Sequence, residues 1–416
     1  MDVLQPPPVS GLLASSIDRS LAPNASLVVN TSGPQTPPVQ TGSAQLSATA
    51  AADGFAIFHL IPGSQEAVVP LETRTANSYL LAFDNANGLV LGVALANIST
   101  QAAAIQVVVR DDTGSPLATG PLPVLAGGGH TSFVISTQFP ATLNKRGTIE
   151  FKTPAGGRIS VLGIRFTPFT PDPPALPFNT LTTIPALANI GTGGGSIAHM
   201  AVSNGWKTTF VLVNSGASPS VAHLKFFSDN GNPLPLTVSY PQFNVNPSTQ
   251  SSLDPTVGAG AMLMLDCTGP FADPVQIGSA QLTTNGNISG FVIFRYEPNG
   301  QEAVVPLESR NANAYVLAFD NTSGTGTGIA VNTVSAQPVS IPVIVRDETG
   351  TQIATDTLNL AANGHLSFTL VTERFPETAN KRGTIEFGKP NGAQIGALGI
   401  RIPVAHTFTT LPALAK

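Results

Sequence analysis

Apolar residues along this 416-residue chain fall in short runs bounded by turn-forming residues, as in Val107-Val108-Val109 and Phe291-Val292-Ile293-Phe294. Runs of that length, without the spacing of an amphipathic helix, predict many short buried strands. Asp112-Thr113-Gly114, Asp229-Asn230-Gly231 and Glu348-Thr349-Gly350 place glycine where a tight hairpin needs a positive φ. Ala155-Gly156-Gly157, Asn285-Gly286-Asn287 and Pro390-Asn391-Gly392 mark a second turn, read as the final hairpin of each unit. In the first case that hairpin would join Gly147–Lys152 to Ile159–Arg165. About seven strands per unit, with a turn roughly every 8–12 residues, predict an all-β chain of tandem immunoglobulin-like β-sandwich domains. No Cys-Trp-Cys core accompanies the pattern, so the expected likeness is architectural.

The pattern is duplicated at an offset of 236 residues. Gly42-Ser43-Ala44-Gln45-Leu46 returns at residues 278–282, and Gln65–Glu72 returns at Gln301–Glu308. Leu81–Asn85, Asn144–Phe151 and Leu162–Arg165 return at Leu317–Asn321, Asn380–Phe387 and Leu398–Arg401. A weaker likeness lies inside each copy, where Leu21–Leu27, Leu125–His130, Val257–Ala261 and Leu360–His365 share one layout. Two related unit types therefore alternate in what reads as an elongated array. The expected boundaries are an incomplete sandwich at 1–72 (the second half of type one) and a type-two sandwich at 73–166. A Pro/Gly-rich linker at 167–196, a type-one sandwich at 197–308, a type-two sandwich at 309–403 and a tail at 404–416 follow. The joins Glu66–Asn77 and Glu302–Asn313 contain no flexible stretch, so neighbours across them are expected to pack as rigid pairs.

A half sandwich leaves apolar faces and strand edges open. Three explanations stand: a truncated or mis-started reading frame, a natural edge completed by another chain, or a smaller domain that is tolerated. A truncated frame would also account for the start, where Met1-Asp2-Val3-Leu4 runs into Pro6-Pro7-Pro8 without the basic and apolar regions of a signal peptide.

Composition narrows the function classes. Charged residues are 10% of the chain and the net charge is −5, with 40 glycines and 36 prolines. High aliphatic content and low charge exclude disorder, and no uncharged apolar run approaches the ~18 residues of a membrane-spanning helix. The largest basic clusters are the pairs Lys145-Arg146 and Lys381-Arg382, which gives no nucleic-acid footprint. The single Cys267 excludes an intrachain disulfide and a multi-cysteine metal site. Low charge with abundant Gly, Pro, Thr, Ser and Asn points to an extracellular or cell-surface setting.

Candidate chemistry is sparse. Glu66 with Glu72, and Glu302 with Glu308, are paired carboxylates, but six residues along an extended segment set them roughly 20 Å apart, too far for glycosidase chemistry. They are expected to bond to Arg74 or Arg310 at the unit junctions. Lys145-Arg146 and Lys381-Arg382 are candidate ligand or interdomain contacts, and Trp206 a core or interface anchor. Asp84-Asn85, Asp111-Asp112 and Asp229 make calcium a candidate, although no Asp-x-Asp-x-Asp-Gly loop occurs. His130 and His365 each follow a glycine and are expected to hydrogen-bond within a turn. Gly193-Gly194-Gly195 lacks the Lys-Ser/Thr ending of a phosphate loop. Cys267 reads as a small buried hydrophobe.

Trp206–Asn214, Gly278–Gln281, Glu302–Glu308 and Asn380–Thr384 together resemble large, uncharacterised secreted tandem β-sandwich proteins of environmental bacteria. The resemblance spans nearly the whole chain and implies an extracellular repeat protein, without an activity, cofactor or site residues. The expected function is a structural or adhesive surface protein, self-assembling into fibres through its incomplete N-terminal sandwich, with copies of itself or surface glycans as partners. The alternative is a carbohydrate-binding module array; an enzyme ranks last, since no catalytic motif is present.

Overall fold

The computed structural model describes residues 14–31, 41–60, 65–167, 180–188, 190–191, 193–404 and 407–416. A hairpin of β1 (Phe55–Leu60) and β2 (Gln65–Pro70) comes first. The first sandwich contains β3 (Ser78–Asp84), β4 (Val90–Asn97), β5 (Gln106–Asp111), β6 (Pro116–Pro121), β7 (His130–Val134), β8 (Arg146–Lys152), β9 (Ile159–Thr167) and β10 (Thr180–Ile184). The middle one contains β11 (Gly195–Val202), β12 (Trp206–Asn214), β13 (Ser220–Val221), β14 (His223–Ser228), β15 (Leu236–Ser239) and β16 (Ser248–Gln250). It continues through β17 (Ser252–Leu253), β18 (Thr256–Val257), β19 (Met262–Thr268), β20 (Gln276–Thr283), β21 (Ile288–Tyr296) and β22 (Gln301–Pro306). The last contains β23 (Ala314–Asp320), β24 (Gly326–Thr333), β25 (Val339–Asp347), β26 (Gln352–Leu360), β27 (His365–Thr369), β28 (Arg382–Gly388), β29 (Ile395–Ile402), β30 (Thr409–Leu411) and β31 (Leu414–Ala415).

The chain is all-β, with antiparallel sheets paired into sandwich-like units. In the first sandwich the sheet β3-β8-β5-β6 faces β10-β9-β4-β7; in the last, β26-β25-β28-β23-β31 faces β27-β24-β29-β30. The middle sandwich pairs β11-β20-β14-β17 with the six-stranded β16-β15-β19-β12-β21-β22. An immunoglobulin sandwich sets its first strand beside the second and its last beside the sixth. Here the first strand, β3, lies beside the sixth, β8, while the seventh, β9, lies beside the second, β4. Alternating apolar positions specify which face of a strand is buried, not which strand is its neighbour, so sequence pattern alone did not distinguish the two arrangements. The turn after β8 is likewise no hairpin, because β8 pairs with β3 and β5 whereas β9 pairs with β4 and β10. The turns at Gly114 and Gly350 do join paired strands, with φ of 92° and 89°.

The continuous apolar runs have a specific cause. Strands buried on both faces lose their polar alternation, and β12 and β21 are such strands. Phe210, Leu212, Val292 and Phe294 point into the middle core, while Val211, Val213, Phe291 and Ile293 join the core of the first sandwich. On the opposite side Ala330 and Leu398 of the last sandwich join the middle core. Each large apolar side chain buried in this way contributes roughly 1.5–3 kcal/mol. Apolar contact therefore dominates the association of the units.

The arrangement is not a string with free ends. Ser26 N–H donates to Glu348 O at 3.1 Å, just as its counterpart Met262 N–H donates to Asp112 O at 3.0 Å. Pro23 likewise packs against Gly350 as Ala259 does against Gly114. The N-terminal segment thus docks on the last sandwich in the manner that the middle sandwich docks on the first. Within the stretch read as a linker, β10 completes the sheet of β9, and Leu187 exchanges both backbone hydrogen bonds with Leu80 at 2.8 Å. The stretch read as a tail supplies β30 and β31. Thr182-Thr183-Ile184-Pro185-Ala186-Leu187 and Thr409-Thr410-Leu411-Pro412-Ala413-Leu414 are one more repeated segment, displaced from the 236-residue offset by a longer preceding loop. The five prolines of the linker, Pro168 to Pro177, lie outside the described residues.

Candidate functional site

Charged side chains concentrate where the sandwiches meet. Asp84 at the end of β3 faces Arg146 at the start of β8, at 3.1 Å, and Arg165 of β9 at 3.9 Å. Arg165 Nε donates to Glu302 of the middle sandwich at 3.0 Å, and Arg295, the cross-strand neighbour of Glu302, donates to its other oxygen at 2.9 Å. Burial alone would raise the Glu302 carboxyl, but the Arg165 and Arg295 guanidiniums outweigh it and hold the group below the usual carboxylate range. The duplicate network joins the N-terminal hairpin to the last sandwich. Asp320 meets Arg382 at 3.1 Å and Arg401 at 3.5 Å, Arg401 meets Glu66 at 3.0 Å, and His59 takes the place of Arg295 at 3.3 Å from Glu66. Glu66 and Glu302 thus reach arginines of a distant unit rather than Arg74 or Arg310, because eight residues of mostly extended chain carry Arg74 and Arg310 out of reach and beside Glu72 and Glu308 instead.

A cleft of about 300 Å³ opens beside the first network. Arg146, Arg165, Lys207 and Arg295 line it, together with Asp84, Asp266, Glu297 and Glu302. Cations and carboxylates balance in number, and Lys207 itself lies 3.4 Å from Asp266. Guanidiniums exchange no protons near neutrality, and each carboxylate named here sits near a cation. This geometry suits an electroneutral clamp between sandwiches.

The other sequence candidates lie outside these networks. Glu72 accepts from Arg74 Nε at 2.9 Å and from its Nη2 at 2.6 Å, while Arg74 Nη2 also reaches Ala186 O at 2.9 Å. Glu308, Arg310 and Ala413 O repeat this geometry. Lys145 and Lys381 are exposed, and their carbonyls accept from Asn85 and Asn321 N–H at 2.9 Å. Asn144 and Asn380, at φ of 57° and 56°, take the left-handed conformation that asparagine tolerates. A Cβ on Gly147 or Gly383 would lie 2.0 or 1.9 Å from a carbonyl of the adjacent strand. The long Asn-Lys-Arg-Gly identity is therefore explained by backbone geometry and by one arginine of each pair, not by a joint basic site. Trp206 is half-buried, its ring 5.0–5.9 Å from those of Phe294, Tyr296 and Phe408, so it joins the middle and last sandwiches.

His365 bonds across units rather than within a turn. Its Nδ1 lies 2.8 Å from Asp229 Oδ1, and its Nε2 lies 3.2 Å from Nδ1 of His199 on β11. Burial, reinforced by His365, pushes the His199 imidazole down to about 3, so it stays neutral across the physiological range. His199 carried no signal in the sequence, since it is one isolated histidine in an apolar strand. His130, the counterpart of His365, is half-exposed. Asp84 and Asp229 are bound as above, Asn85 donates to Thr142 O at 3.3 Å, Asp111 accepts from Thr113 and Ser115 within its turn, and Asp112 accepts from Gln242 at 2.9 Å. Among the described residues no three His, Cys, Asp or Glu side chains gather at metal-binding distance. Cys267 is fully buried, and burial pushes its thiol up, out of the nucleophilic range. No protein-family model matches the chain, and no curated protein or solved structure matches it.

Proposed function

We propose that this chain is a structural or adhesive protein of the cell exterior, built as an interlocked block of sandwiches. The observation that carries this reading is the sharing of cores across unit boundaries, clamped by two duplicated ion networks. Units joined over both faces of a sheet transmit load and resist relative motion, which suits a scaffold. Alternating rigid contacts and the low charge of the sequence support the same reading. The test is immunogold labelling of intact cells of the producing organism, with antibodies raised to the folded chain. Labelling of unbroken cells is expected; labelling confined to lysed cells would sink the proposal.

A further inference from the structure

One face of the middle sandwich changes character along three neighbouring strands. Where it meets the first sandwich it presents Val211 and Val213 of β12, Met264 of β19, and Phe291 and Ile293 of β21. Two residues further on the same face, β12 continues with Thr209 and Lys207, and β19 with Asp266. Strand β21 and the turn after it continue with Arg295 and Glu297. The cleft of about 300 Å³ lies between these polar side chains and Asn87, Leu89 and Arg146 of the first sandwich. That volume is at the small end of ligand pockets.

Two sets of charges line the cleft, and only one of them recurs at the duplicate junction. Asp84, Arg165 and Glu302 lie deep, 3–12% exposed, while Lys207, Asp266 and Glu297 are 19–48% exposed at the rim. The duplicate junction retains Asp320, Arg382, Arg401 and Glu66 in ion pairs of 3.0–3.5 Å, yet Asn30 and Ile61 stand at the positions of Asp266 and Glu297. Partly exposed ion pairs add little stability, so holding the sandwiches together does not account for the rim. Its groups also have hydrogen-bonding capacity to spare. Lys207 Nζ, with three donors, lies 3.4 Å from Asp266 and 3.7 Å from Glu297. Among the described residues the Glu297 carboxylate is engaged by that contact and by Arg295 Nε at 3.3 Å, and Arg146 Nη1 donates to Pro241 O at 3.4 Å.

The arrangement of signs selects the ligand. Donor-only cations and acceptor-only carboxylates are interspersed around the rim, so an ion of either charge would face a like charge. A hydroxyl both donates and accepts, and adjacent hydroxyls on a ring bridge such a pair without bringing net charge. Leu89, Pro241, Met264 and Ile293 give the cleft an aliphatic side for the C–H face of the ring. We infer that the cleft binds one residue of a neutral sugar, with Lys207 and Glu297 hydrogen-bonding neighbouring hydroxyls. No aromatic ring is among the described residues that line the cleft. Hydroxyl hydrogen bonds therefore carry the affinity, and a Kd on the order of 1 mM is expected.

The inference rests on the cleft and not on where the protein resides, so cell labelling and sugar binding succeed or fail separately. The probes are the methyl glycosides of glucose, galactose and mannose, titrated against the full chain by saturation-transfer NMR. Neutral oligosaccharides ending in the same sugars, immobilised on a surface, form the second arm. Saturable binding to at least one of these sugars is expected. Lys207→Met and Glu297→Gln should each weaken it about tenfold while the unfolding midpoint of the chain holds. Retention on the immobilised oligosaccharides identifies a glycan end as the source, and binding of the free glycosides alone identifies a free sugar. The inference is overturned if neither arm shows binding, if either variant leaves binding unaltered, or if methyl glucuronide binds more tightly than the neutral glycosides.

Discussion

Replacing Glu302 by alanine tests how the sandwiches are held in register. Its carboxylate is 3% exposed and accepts from Arg165, Arg295 and Thr167, all within 3.1 Å. Alanine would leave two guanidiniums, 12% and 18% exposed, facing each other without the shared counter-charge. Removing one member of a buried ion pair destabilises by roughly 3–5 kcal/mol. Arg165 keeps Asp84 at 3.9 Å and Arg295 keeps Glu297 at 3.3 Å, so the low end, about 3 kcal/mol, is expected. The duplicate provides an internal control. Glu66 is as buried, but its partner His59 is 46% exposed and can turn to water, so Glu66→Ala should cost about 1–2 kcal/mol. Urea unfolding monitored by circular dichroism in moderate salt measures both, provided the denaturant slope is unchanged. A double-mutant cycle with Arg165→Met isolates the pair and should return a coupling above about 1 kcal/mol. A loss below about 1 kcal/mol for Glu302→Ala, or a larger loss for Glu66→Ala, would refute the reasoning.

Two further outcomes follow from the duplication and the buried histidines. Gly290→Val places a side chain against the Val211 carbonyl and should destabilise by about 3 kcal/mol, while Gly54→Val, with open space around it, should change stability by less than about 0.5 kcal/mol; equal losses in thermal unfolding would contradict the packing described here. His199 ionises near 6.5 when unfolded but only near 3 when folded, so the unfolded chain binds the extra proton and stability falls as pH drops through that interval. Between pH 6.5 and 4.5 the loss should reach about 2–3 kcal/mol, above the range where the lowered Glu302 and Asp320 carboxyls contribute. A His199→Gln chain should show a flatter profile, and an unchanged slope would remove His199 as the cause.

Much of the site was legible only in fragments. Repetition identified Glu66, Glu302, Arg146 and Arg382 as candidates, yet the partners of Glu302 and Glu66, Arg165 and Arg401, belong to units distant in sequence, and no local spacing encodes such a contact. The Asn-Lys-Arg-Gly run read as basic because charge is visible in a sequence, whereas the left-handed φ at Asn144 and the strand contact at Gly147 are not. His199 and Asp229 both reach His365 only because the middle sandwich packs on the sheet containing β27.

By itself the sequence determined the all-β class, the duplication and the glycine turns, because period, turn chemistry and identity are local properties of a chain. Tertiary structure alone decided that β3 and β9 exchange the edges expected of an immunoglobulin sandwich, and that β10 and β30 are strands rather than linker and tail. It also decided that the first segment closes onto the last sandwich. These outcomes depend on which apolar faces find each other in space, and hydrophobic burial, being non-directional, leaves no mark in the sequence that names its partner.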